Sequence, residues 1–290
     1  MKSVDLIAIP ERLSEPQRTA LLSLLTDEDP GVYRTVREKI VSFGPEAAEW
    51  LRPHIQSREP ALRRRAKEIV RHFDRQAADD QFLSFCLKSG EDLALEQGAW
   101  QLARTQYPEI NVEAYEALLD CFAADMRERL DLGREPKQIL SAINHYLFQE
   151  LGFCGNEDNY YDPENSYLNR VLDRRTGNPI TLSLVYILLG RRLRLPITGI
   201  GLPGHFICRY QTSAAEIYVD VFQRGTCLTK ADCVQYLLRG NYSVREQYLA
   251  PVSSRRLLHR ICSNLQQIYR QVESPEEATK VQRYVVALSK

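Results

Sequence analysis

A chain of 290 residues that is 44% hydrophobic and 26% charged is long enough for a sizeable core, and its ordinary balance excludes wholesale disorder and a fibrous chain. Its 38 basic and 38 acidic residues cancel, so no global field steers it onto nucleic acid or an anionic membrane surface. Seven cysteines without a repeating spacing suit reduced cytoplasmic thiols better than a disulfide framework, and neither a zinc knuckle nor a cofactor motif is present.

The opening stretch MKSVDLIAIPERLSE has one short apolar run, broken by Pro10, which is too short for a signal-peptide core or a membrane span. A weak repeat follows. Asp29-Pro30 precedes Val36, Ile40 and Val41, and Glu59-Pro60 precedes Ala66, Ile69 and Val70 at an offset of 30 residues. A poorer copy starts near Glu91. Pro at a helix start and Gly44 after the first apolar stretch fit paired helices, so residues 1–110 are expected to be a helical, HEAT- or armadillo-like region. The run Arg63-Arg64-Arg65 reads as a solvated helix face rather than a nucleic-acid contact, because Glu59, Glu68 and Asp74 lie nearby.

From 111 to 151 the spacing predicts continued helix, with Tyr115, Leu118, Leu119 and Phe122, then Ile139, Ile143, Tyr146 and Leu147, on the core face. GFCGNEDNYYDPENS then reads as a long surface loop, a kind of segment that often carries function. Its Asp158, Asp162 and Glu164 lack the spacing of a calcium loop and are read as solvated turn residues. Pro179 opens a helix that is apolar most of the way round and is expected to be the buried central one. PITGIGLPGHFICRY reads as a strand with a glycine-rich approach, and EIYVDVFQ as its partner. A hairpin symmetric about Thr212-Ser213 sets His205 opposite Asp220, within reach of a hydrogen bond. Residues 253–290 read as a helical hairpin, with Ser274-Pro275 starting its second helix.

The stretch from GFCGNEDNYYDPENS through GNPITLS and Arg194-Leu195-Pro196 to PGHF resembles the SirB-type bacterial family of transglutaminase-like proteins. The resemblance implies an α+β, papain-like core at 111–250 with an antiparallel sheet and a central helix, followed by a tetratricopeptide-like cap at 251–290. It also implies a triad: Cys at the N-terminus of the central helix, His on a following strand and Asp on the next. A helix N-terminus and an imidazolium lower a thiol pKa, and a carboxylate fixes the imidazole tautomer. His205 and Asp220 match two members of that triad, vestigial or retained. Counting back from Arg194-Leu195-Pro196 puts the nucleophile position at Pro179, which has no nucleophile.

Two readings follow. The first is a non-catalytic module that binds another protein or peptide, using Asn165, Tyr160 and Tyr161 from the loop and Asn178 and Thr181 from the helix start. The second is a cysteine-type amidase, protease or acyltransferase in which a relocated thiol, Cys154, serves His205. Thr181 and Ser183 are displaced from the turn, and Cys208 falls on the opposite face of its strand from His205. The expectation is the first: no catalysis, no metal, no nucleic-acid or membrane partner, and a cytoplasmic location.

Overall fold

The computed structural model describes residues 13–88, 90–131 and 133–290; the apolar run before Pro10 lies outside them. Their contacts divide into two compact units, Met1–Ala78 and Asp79–Lys290.

In the first unit, local signals set the helix boundaries. Helix α1 (Glu15–Leu25) starts at a capping box between Ser14 and Gln17. Helix α2 (Pro30–Ser42) has the Asp29 side chain on the Gly31 amide, Pro at its first position, and Gly44 at φ 77° beyond its end. Helix α3 (Glu46–Leu51) and the start of α4 (Pro60–Lys88) complete the unit. Leu25, Ile40, Leu51, Ile69 and Phe73 form its core. The arginine run divides its tasks: Arg64 is exposed, Arg63 donates to the Ser57 carbonyl at 2.9 Å, and Arg65 donates to the Leu25 and Asp27 carbonyls at 2.6 Å while lying over Tyr33. Arg65 thus satisfies carbonyls left open where α1 ends.

The second unit continues with α5 (Leu95–Arg104), α6 (Val112–Arg129) and α7 (Pro136–Asn144). The helix expected to run through 111–151 is broken between α6 and α7, and Pro136, which suits a first helical position, restarts it. A π-helical turn, His145–Glu150, extends α7. Short strands β1 (Cys154–Gly155) and β2 (Thr176–Gly177) pair in parallel around α8 (Leu168–Arg174). Helix α9 (Pro179–Arg192) buries 12 of its 14 residues, which explains its apolar circumference. At about 1.5–3 kcal/mol for each large apolar side chain removed from water, that burial makes α9 the anchor of the unit.

The sheet is β3-β4-β5-β6, antiparallel throughout: β3 (Ile197–Ile200), β4 (Ile207–Gln211), β5 (Glu216–Asp220) and β6 (Thr226–Leu228). The segment read as one strand is therefore two, separated by the loop 201–206. One face of the sheet, through Cys208, Tyr210 and Val219, packs on α9. The other, through Ile207 and Tyr218, packs on Cys233 and Leu237 of α10 (Lys230–Arg239). Helices α11 (Ser254–Gln271) and α12 (Pro275–Leu288) form the C-terminal hairpin, with Pro275 at the first position of the second helix. Among the described residues no helix is long and apolar enough to cross a membrane.

Candidate functional site

The site starts at the N-terminus of α9. Asn178 is its cap, with Oδ1 accepting from the Ile180 and Thr181 amides at 3.1 and 3.0 Å and from the Thr181 hydroxyl at 3.1 Å. Its Nδ2 donates to the Ser166 hydroxyl at 3.0 Å, fastening the preceding loop to the helix. Asn165 performs the same service inside that loop: its Nδ2 donates to the Asn159 and Tyr160 carbonyls and its Oδ1 accepts from Asn156. Asn165, Asn178 and Thr181, expected to bind a ligand, are thus buried, with their hydrogen bonds spent on the scaffold. Asp162 and Glu164 are not free turn residues either. Arg174 bridges both, at 2.7 and 2.9 Å, and Glu164 also takes Arg170 and the Tyr107 hydroxyl. Burial alone would raise the Glu164 pKa, but the donors from Arg170 and Tyr107 hold it below the usual glutamate value.

This clamped loop delivers Tyr160 and Tyr161 to a cavity beside His205. The imidazole Nε2 lies 2.8 Å from Asp220 Oδ2, while Asp220 Oδ1 accepts the Gln223 amide at 3.2 Å. The expected contact is present, by a different register. The turn is Thr212–Ala215, closed by the Gln211–Glu216 pair, so its centre lies one residue later than expected and the ladder, extended, sets Asp220 opposite Ile207. The two-residue offset preserves parity, and His205 reaches the carboxylate from the loop just before β4. With Nε2–H held by the carboxylate, a neutral ring offers Nδ1 as an acceptor, and among the described residues Nδ1 has no partner.

Aromatic rings surround the imidazole. Phe222 meets it edge-on at 6.5 Å, Tyr236 lies tilted against it at 5.9 Å, and Tyr160 packs on Phe222 at 6.2 Å. Gly204, at φ 75°, lets the hydroxyls of Tyr236 and Tyr242 approach, since a Cβ there would stand 3.3 and 3.2 Å from them. Two chambers meet at His205, Pro179 and Tyr160. The larger, about 500 Å³, is floored by Arg260, Ser263, Asn264 and Gln267 of α11. The smaller, about 310 Å³, is walled by Leu202, Ile207, Leu228 and Phe222 and reaches Asp220.

Thiols are absent from the larger chamber among the described residues. Pro179, at the first position of α9, lines both chambers. Cys154 lines neither of the two chambers that His205 lines. It lines a third cavity, with Sγ 3.7 Å from the Thr176 hydroxyl, and Phe222 and Gln223 form the wall shared with the smaller chamber. Cys233 lines the smaller chamber but is buried, and burial pushes its thiol up to about 12. Cys208 faces α9, with Sγ 3.7 Å from the Ser183 carbonyl, and is likewise pushed up to about 12 by burial. Thr181 and Ser183 are fully buried.

The polar face of α11 was missed from sequence. Arg260, Ser263, Asn264 and Gln267 recur at helical spacing, a signal as regular as the apolar stripe Leu257, Leu258, Ile261, Leu265 and Ile268 of the same segment. Phe222 and Tyr236 carry no pattern that marks them.

A family model described as "Transglutaminase-like superfamily" matches residues 113–263. A UPF0162 protein of Xylella fastidiosa strain Temecula1 is 34% identical over 197 residues, 66% of this chain and 70% of that protein. Its counterpart in strain 9a5c is 37% identical over 186 residues, covering 62% and 66%, so the match spans about two thirds of these relatives. F-box only protein 21 of Mus musculus is 37% identical over 136 residues, which are 44% of this chain but 21% of that protein. No solved structure matches the chain.

Proposed function

As this chain belongs to the transglutaminase-like superfamily, we propose that it is a member that binds a ligand at the family's site without performing thiol chemistry there. The observation that carries the reading is Pro179, which lines the same two chambers as His205 at the first position of the central helix. A ring nitrogen locked in a tertiary amide offers no nucleophile. The thiol nearest in lining, Cys233, is held protonated at neutral pH by burial, and a protonated thiol neither attacks nor pairs with an imidazolium.

What remains is a recognition cleft. His205 is oriented by Asp220 and collared by rings, and its Nδ1 is left for a hydrogen bond with a ligand. The matching core is only one fifth of the murine F-box protein, in keeping with a module carried in chains of different make-up. The protein's partner would then be another protein or a peptide.

A relocated nucleophile is the second reading. What favours it is that Cys154 is half-buried in the segment that also delivers Tyr160 to His205. The deciding experiment assays ammonia release and ester hydrolysis with glutaminyl and aryl-ester substrates. The binding reading expects no rate above that of His205→Ala. Turnover that vanishes in His205→Ala overturns it, and turnover that vanishes as well in Cys154→Ser establishes the second.

A further inference from the structure

The two chambers that meet at His205 differ in chemistry, and the difference specifies a ligand. The larger has Arg260 on its floor, and among its described lining residues none is acidic. One guanidinium nitrogen, Nη2, donates to the Leu202 carbonyl at 3.0 Å, which fixes the group at the junction, since Leu202 itself walls the smaller chamber. An immobilised guanidinium has donors left in a planar fork, the geometry that suits a carboxylate. From Arg260 the floor continues along one face of α11 to Asn264 and Gln267, whose side chains have no hydrogen-bond partner among the described residues. These positions lie about 6 and 10.5 Å along the helix from Arg260. An extended chain advances about 3.3 Å per residue, so two or three residues of main chain cover that distance. Beyond His205 the smaller chamber is walled mainly by aliphatic and aromatic side chains, together with Asp220, whose carboxylate is already bonded to His205 and the Gln223 amide, and its volume of about 310 Å³ accommodates one apolar side chain.

Resting on the binding reading above, we propose that the cleft receives the C-terminal end of a peptide. The α-carboxylate pairs with Arg260, the last side chain, apolar, enters the smaller chamber beside His205, and the preceding amides bond to Asn264 and Gln267. A carboxylate is favoured over a neutral end because the chamber offers a cation and no competing anion. A peptide is favoured over a simple fatty acid because the floor supplies amide groups with nothing else to bind.

The test uses the full chain and fluorescence anisotropy with fluorescein-labelled random pentapeptides ending in Leu or Phe, as free acids and as carboxamides. The free acids should bind at least about tenfold more tightly, the scale of a charge-assisted fork. Arg260→Gln should abolish that preference and Arg260→Lys should keep part of it. Because Arg260→Gln also loses the Leu202 contact, exposed Gln267→Glu provides a second variant. It should weaken free-acid binding about threefold or more without altering the melting curve. Equal binding of acid and amide, absence of binding by either pool, or octanoate competing as well as the peptides overturns the inference. These outcomes leave the turnover assay untouched. His205-dependent turnover sinks the non-catalytic reading whether or not the carboxylate is recognised.

Discussion

The imidazole of His205 and the carboxylate of Asp220 meet at 2.8 Å although the two residues are not ladder partners: one comes from the loop before β4, the other from the last position of β5. Asp220 therefore does two things at once, orienting the ring through Oδ2 and holding the Gln223 amide through Oδ1. Asp220→Ala should cost about 1–3 kcal/mol of stability in urea denaturation, because the part-buried His205 ring and the Gln223 amide both lose their acceptor. Asp220→Asn, which keeps an oxygen for Gln223, should cost less. A cost near zero for Asp220→Ala would show that the carboxylate has no particular place in the fold.

Restoring sulfur at the helix start tests the position of Pro179. Pro179→Cys should give a thiol that iodoacetamide alkylates at neutral pH at least about tenfold faster than exposed Cys121, since a helix N-terminus and a nearby imidazole favour the thiolate. The double variant with His205→Ala should lose much of that gain. Mass spectrometry of the native protein should show the buried Cys86, Cys208, Cys233 and Cys262 alkylated last. Rapid labelling of Cys233 would contradict the burial that pushes its thiol to about 12.

Asn178 spends both ends of its amide on holding α9 to the loop. Asn178→Ala should lower stability by about 1–2 kcal/mol, the upper range for a lost cap, and Asn178→Asp should recover the part that comes from Oδ1. A melting temperature unchanged in Asn178→Ala would mean the cap is dispensable.

The Glu164 pair predicts an acid limb. Its folded pKa lies below the unfolded value of about 4.3, so its contribution is complete above that value and is lost as pH falls through the lower folded one. Glu164→Gln should therefore be less stable than the parent at pH 7, by about 1 kcal/mol once solvent screening of this partly exposed group is allowed for. The two curves should converge as the pH drops below about 4. A gap that persists at low pH would assign the loss to packing.

The parts of this molecule that local chemistry dictates are readable in the chain. Asn178-Pro179 announces a helix start, the apolar run behind it announces burial, and Ser274-Pro275 announces α12. The His205–Asp220 pair was legible only because parity survives an even offset: the turn length at Thr212–Ala215 depends on Thr212 Oγ1 accepting the Ala214 and Ala215 amides, a choice that strand patterning does not encode. Asn165 and Thr181 look like ligand contacts when seen as a list of polar residues. Their burial becomes visible only when the loop folds back on itself. Arg260, Asn264 and Gln267 form a regular helical stripe, yet a stripe declares a function only once the opposite wall is known.

Asn144, the last residue of α7, accepts the Tyr186 hydroxyl from α9 at 3.0 Å and donates to the Gly225 carbonyl at 2.7 Å, and the Gly225 amide in turn bonds to the Asp220 carbonyl at 2.8 Å. A side chain at position 225 would collide with that asparagine, so the turn, at φ 79°, has room only for glycine. The alignment of the dyad is thus inherited from a residue 81 positions upstream of that turn. Transplanting the four strands into another scaffold would carry the histidine and the aspartate across but leave their aim behind.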